Sequence, residues 1–152
     1  LEEQFMDRIN SFFNFLFSPF YHYLHLLLRL TLGISFFLHG YGKLDRISGF
    51  SGYLESKGII FSKLMTYLVT WGEMLAGIGI IISGLILTKF PSLSNFLTRL
   101  SAVSILIIMI SALIIAHSDW NIFIGERGKV LFASEQLFLL TLGLYFFFRG
   151  NN

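Results

Sequence analysis

Six side chains in this sequence have the type and the depth to do chemistry: Arg29, His39, Lys43, Glu73, His117 and Glu135. Histidine gains and loses a proton near neutral pH. A positioned carboxylate takes up and returns protons. Arginine and lysine hold oxyanions and polarised oxygens. Such a set suits the capture of a small anion or a polar head group, with proton transfer beside it. The surroundings make it unusual. The stretch "RLTLGISFFLHGYGKL", residues 29–44, puts an arginine, a histidine and a lysine into an otherwise greasy helix.

The elements that must position these residues are greasy throughout. The chain has 152 residues, 55% of them hydrophobic and 13% charged, and its mean hydropathy is +0.72. Soluble domains carry about 25% charged residues, so the composition points to a lipid membrane. A net charge of +2, with no Lys/Arg run and no zinc-finger spacing, argues against a nucleic-acid partner. The chain has no cysteine, which excludes a disulfide framework, a thiolate metal site and thiol redox chemistry by this chain alone. The opening "LEEQ" is acidic and no small-residue cleavage site follows, so no secretory signal is expected.

Four apolar stretches cover about 21–40, 66–88, 100–116 and 130–148. Each is close to the roughly 20 residues that cross a bilayer. The expected fold is therefore all-α: an antiparallel four-transmembrane-helix bundle in a multi-pass integral membrane protein. Both termini then share one face, the terminal side. Loops 41–63 and 119–129 share the other, the loop side. Lys and Arg number six on the loop side and four on the terminal side, too even a split to fix orientation. Small residues Gly72, Ala76, Gly79 and Ser83 on the second stretch suit close helix packing in lipid.

Residues 1–20 differ. Phe5, Ile9, Phe12 and Leu16 fall at helical spacing, with Asp7, Arg8, Asn10 and Asn14 mostly opposite, and Pro19 ends the pattern. This predicts an amphipathic helix lying in the membrane interface. The domain reading is an interfacial helix over 1–20 and a four-helix transmembrane domain over 21–150.

Ionisable residues inside spans are costly and face the bundle interior. On the first span His22, His25, Arg29, Phe36, His39 and Lys43 share one face. At about 1.5 Å per residue, His39, Lys43, Glu73, His117 and Glu135 converge within one slab roughly 12 Å deep at the loop side. One end of the bundle is predicted to hold a polar pocket, with the middle and far end apolar. Arg29, deeper, is expected to reach Glu73, with Glu135 as the alternative partner. A bland reading competes: an ion-pair network that only fixes helix register. His25 and His39 are fourteen residues apart, a spacing that suits two haems. That arrangement needs two partner histidines and only His117 is available, so haem or a chlorin pigment is the weaker reading. No compact H-x-x-E or E-x-x-H motif gathers His39, Glu73, His117 and Glu135 into a metal site, and none is expected.

The segments "RLTLGISFFLHGYGKL", "GFSGYLESKGI", "WGEMLAGIGIIISGL" and "LTRLSAVSILIIM" follow one another in an order that closely resembles the DoxX family of small four-span membrane proteins. The matching positions include Arg29, Gly33, Gly42, Lys43, Gly49, Phe50, Tyr53, Glu73, Gly77, Gly84, Thr98 and Arg99. "ASEQLFLLTLGLYFFFRGN" resembles the family's fourth helix, with Glu135 in its glutamate position. The family includes the small subunit of an archaeal thiosulfate:quinone oxidoreductase and bacterial members tied to membrane redox complexes. The resemblance implies a quinone-linked oxidoreductase subunit, with partner subunits, in a prokaryotic inner membrane. Arg29, His39, Lys43, Glu73, His117 and Glu135 would then line the ligand or quinone pocket. Two alternatives stand beside this: a structural subunit of a larger respiratory or photosynthetic assembly, and a carrier of a small molecule or lipid.

Overall fold

A computed structural model describes residues 2–85, 89–116, 120–126 and 128–150. Six α-helices account for most of them: α1 Glu2–Phe17, α2 Tyr21–Tyr41, α3 Ile47–Ser56, α4 Ser62–Leu85, α5 Pro91–Ala116 and α6 Glu135–Arg149. Short 3-10 turns at Ser18–Phe20, Leu44–Arg46 and Leu131–Ala133 connect them.

Local chemistry sets these boundaries. Pro19 sits in the turn between α1 and α2, where its missing N–H breaks the helical ladder. Pro91 opens α5, at the first helical position, where no N–H is needed. The Ser134 hydroxyl accepts from the Leu137 N–H at 3.2 Å and caps α6. α3 closes on Gly58 at φ +77. There the Gly58 N–H donates to Glu55 O and the Ile59 N–H to Leu54 O, a Schellman closure that needs a left-handed residue.

Three helical stretches are long and apolar enough to cross a bilayer: Tyr23–Ser56, which joins α2 to α3, Ser62–Leu85 and Pro91–Ile115. α6, with 15 residues, reaches about 22 Å, short of the roughly 30 Å hydrocarbon core. Its helix begins at Glu135 rather than near 130, because Val130 and Ser134 are extended and a 3-10 turn lies between them. The described residues thus form an all-helical membrane protein. The segment read from sequence as a plain loop, 41–63, contains α3. Its glycines masked the apolar spacing of Phe50, Tyr53 and Leu54, which is that of a helix face.

α2 packs along α4, α4 along α5, and α5 along α6, while α3 lies against α4. The core is Leu32 and Phe36 of α2, Ala76 and Ile80 of α4, Ala102, Ile105 and Met109 of α5, and Leu139 and Phe146 of α6. α2 and α4 meet backbone to backbone. A Cβ on Gly77 would lie 2.5 Å from Gly33 O and 2.7 Å from Phe37 N, so only glycine allows this approach. Large apolar side chains such as Leu27, Leu75, Ile107 and Ile114 face outward, while Arg29 and Glu73 are buried. That inversion of the soluble pattern is what a lipid solvent selects. α1 buries none of its residues, and Phe5, Phe12 and Phe15 are exposed.

Candidate functional site: two buried polar centres

The loop-side centre is built where α2 ends against α4. Lys43 lies just past α2, and its Nζ donates to Glu73 Oε2 at 2.5 Å and to His39 O at 3.2 Å. The ammonium also sits 5.7 Å from the centre of the Phe50 ring, within cation–π reach. The two partners are not equally dry: the Glu73 side chain is 3% exposed and that of Lys43 is 23%. Glu73 is therefore a carboxylate taken out of water and compensated by one ammonium.

His39 is the second member. Its Nδ1 is 2.8 Å from Ser35 O. A carbonyl only accepts, so this bond places a proton on Nδ1 and leaves Nε2 to exchange. Nε2 faces Glu135 Oε2 at 3.5 Å, and the other carboxylate oxygen takes a 3.4 Å contact from the Ser35 hydroxyl. The imidazole Nε2 and the Glu135 carboxylate thus face each other at the loop side. Glu135 is the first residue of α6 and its side chain is 57% exposed, where it meets the N-terminal end of the helix dipole.

The apolar run from about 130 puts Glu135 inside the fourth span, and that expectation is corrected by its position at the start of α6. An ion pair so exposed contributes about 0–1 kcal/mol. Glu135→Gln should accordingly leave the melting temperature nearly unchanged. A loss as large as that of a buried pair would show that Glu135 supports the fold.

Beside the Lys43–Glu73 pair lies a cavity of about 190 Å³. His39, Lys43, Glu73 and Gln136 give it a polar end, while Leu54, Val69, Ile108, Met109, Ile115 and Leu139 give it an apolar body. A few convergent polar groups in an apolar slot are the usual anatomy of a ligand site. Across His39, Lys43 and Phe50, which line both spaces, lies a wide-open groove of about 830 Å³ that also carries Asp45 and Arg46. The enclosed cavity is the better candidate, because the open groove offers a ligand little enclosure.

The second centre corrects a central expectation. Arg29 does not pair with Glu73, which Lys43 holds. Nor does it pair with Glu135, which faces His39. Arg29 lies ten residues before His39, about 15 Å lower along α2. Its Nη1 donates to Ile80 O at 2.6 Å, Ser83 Oγ at 2.8 Å and Thr98 Oγ1 at 3.2 Å. The guanidinium carbon lies 4.8 Å from the centre of the Phe146 ring, a cation–π contact in a dry setting. Thr98 donates on to Ser83 Oγ at 2.8 Å, Ser83 to Ile80 O at 3.0 Å and Ser94 to Ser83 O at 2.5 Å. Every hydroxyl in this chain has a direction that satisfies its neighbour. Gly84 leaves the space that the arginine fills. The terminal-side half of the bundle is thus not purely apolar, as its sequence suggested.

Of the six residues singled out by sequence, His39, Lys43, Glu73 and Glu135 come together, Arg29 stands in its own centre, and His117 lies outside the described residues. Sequence reasoning missed Ser35 as the group that orients His39, and missed α3 as a wall. It also read Ser83 as helix packing alone, and did not see that Ser94 and Thr98 serve Arg29. Their signal was present: three hydroxyl residues in two lipid-spanning helices at the depth of a buried cation. Among the described residues no group of three or more His, Cys, Asp or Glu could hold a metal ion.

A family model described as DoxX matches residues 24–118. No curated protein and no solved structure is significantly similar to the chain. The matched stretch spans α2 to α5 and carries Arg29, His39, Lys43 and Glu73, but stops before α6 and Glu135. It covers more than half of the sequence, and the apolar helices with their buried cations lie within it: the chain belongs to the DoxX family.

Proposed function

We propose that this chain is a quinone-linked subunit of a membrane oxidoreductase complex, and that the cavity beside Lys43 and Glu73 takes the quinone head. The carrying observation is the Lys43–Glu73 pair at the polar end of an otherwise apolar cavity. A quinone head presents carbonyl oxygens to hydrogen-bond donors and an apolar ring to its walls. Lys43 supplies the donor, and His39, with its single exchangeable ring nitrogen facing an exposed Glu135, supplies a route for protons to loop-side water. Electrons would come from a partner subunit, since the chain has no cysteine for thiol redox chemistry of its own. A volume of about 190 Å³ is below the roughly 300–1,000 Å³ of sites for drug-sized ligands. It suits a head group and not a whole lipid, which disfavours the carrier reading. The compartment that goes with this role is a prokaryotic cell membrane.

The test is equilibrium binding of a tail-less benzoquinone to the protein in lipid nanodiscs. Wild type should bind. The neutral pair Lys43→Met with Glu73→Leu, which keeps the packing, should lose that binding. Equal binding by both proteins would overturn the proposal, as would no binding by wild type within its native complex.

The same proposal includes architecture. In it α6 completes a four-span antiparallel bundle, with the extended residues that precede it making up its missing length, and α1 lies flat in the interface with its phenylalanines in lipid. Single cysteines are informative in a chain that has none. Cysteines at residues 3 and 150 should react with a membrane-impermeant maleimide from the same side. Labelling from opposite sides would leave only three crossings.

A further inference from the structure

We propose that the cavity opens sideways into the bilayer between α3 and α5, so that its ligand is a membrane-dissolved molecule whose tail lies in that gap. This rests on the reading that the cavity holds a polar head, and adds the direction from which the ligand comes.

The packing leaves the gap. α3 lies against α4, and α5 lies against α4 and α6, but α3 and α5 do not pack closely on each other. Both nevertheless line the cavity, α3 with Phe50, Tyr53 and Leu54, and α5 with Ile108, Ser111, Ala112 and Ile115. Apart from the buried Met109, which also lines the cavity, these four α5 residues follow i, i+3, i+4, i+7 spacing, a single helix stripe. Each is half-buried, as expected of a stripe covered by a cavity and not by a helix. The neighbouring stripe, Ile107, Ile110 and Ile114, is exposed and faces lipid. The cavity wall on α5 is therefore continuous with the lipid-facing surface of the same helix.

The chemistry of the lips agrees. The Ser111 hydroxyl donates to Ile107 O at 2.8 Å, so the stripe offers a hydrocarbon no unsatisfied polar group. On the other lip the Phe50 and Tyr53 rings stack with centroids 6.4 Å apart. A cavity of about 190 Å³ holds a ring and leaves a tail outside. The alternative exit, past His39 and Lys43, leads to a groove that carries Asp45 and Arg46, which hydrocarbon avoids. The apolar path lies between α3 and α5.

The experiment uses wild type in nanodiscs and a benzoquinone with a ten-carbon tail that bears a diazirine on its third carbon. Label that excess tail-less quinone suppresses marks the site. That label should map to 50–54 and 107–115. Suppressible label on α2, on α6 or on residues 42–49 overturns the proposal, as does its absence on protein that binds the tail-less ring. Failure of the tail-less ring to bind at all is the distinct result that removes the head site, and the portal with it. As a second readout, Ala112→Trp should weaken the tailed quinone about tenfold more than the tail-less one, a difference of about 1.4 kcal/mol. Leu75→Trp, on an exposed position of α4, should not separate the two. An equal effect of Ala112→Trp on both ligands overturns the portal.

Discussion

Lys43→Met should be the most destabilising single change at the loop side, more so than removal of its partner. The reason is the difference in exposure. Glu73 is nearly dry and its described partner is Lys43. Without that ammonium, a carboxylate is left in the helix interface with its compensation gone. Breaking a buried pair in this way costs about 3–5 kcal/mol in soluble proteins. Glu73→Leu leaves a different remnant. Lys43 is 23% exposed and stands at the edge of the open groove, so its flexible stem can carry the charge out to water. The smaller loss belongs to Glu73→Leu. The double change removes both charges and should recover part of what Lys43→Met loses. Thermal unfolding of the three variants in one detergent measures the cycle. Simple addition of the two losses would mean that the pair is not coupled.

This asymmetry was only half legible in the sequence. Ionisable residues inside apolar runs are conspicuous, and their distance from the end of each run gave the depth of His39, Lys43 and Glu73. Depth alone does not say which cation meets which carboxylate. That depends on how each helix is rotated, and the rotation is set by the glycine contact of Gly33 with Gly77. α3 also stayed hidden, because its apolar residues are spread among glycines and charges in a segment that composition marks as a loop. α6 shows a further limit: an apolar run from 130 to 148 does not reveal that its first five residues are extended or in a 3-10 turn.

Arg29 was misread for a different physical reason. Its burial followed from the sequence, and the search for a partner then went to acidic residues. A guanidinium has five donors, and neutral acceptors satisfy them where geometry allows. The Ile80 carbonyl, Ser83 and Thr98 do so here for Nη1. Ile80 O accepts from both Arg29 and Ser83. The centre ties α2 to α4 and α5 through one side chain, a role for which register, and not catalysis, is a sufficient explanation. Register is thus enough to explain Arg29, while the cavity beside Lys43 gives that centre room for a ligand.

Gly84→Ala tests that account and should rank with Lys43→Met in effect. A Cβ at Gly84 would lie 2.8 Å from Arg29 Cζ and closer still to Cδ and Nε. The arginine stem is enclosed and cannot step aside without moving Nη1 from its three acceptors. Hydrogen bonds made by a charged group are worth about 1.5–3 kcal/mol each, so displacement should cost roughly 3 kcal/mol or more. The change is one methyl group, and alanine is otherwise the better helix former. Any substantial loss must therefore come from the collision. Arg29→Ala provides the control. With the long side chain gone, the added methyl enters vacated space, and Gly84→Ala should be neutral or mildly stabilising in that background. Melting temperatures of the wild type, both single variants and the double variant give the coupling directly. Equal cost of Gly84→Ala in both backgrounds would place the guanidinium elsewhere. A harmless Gly84→Ala in the wild type would mean that α4 does not hold Arg29 against α5 at all.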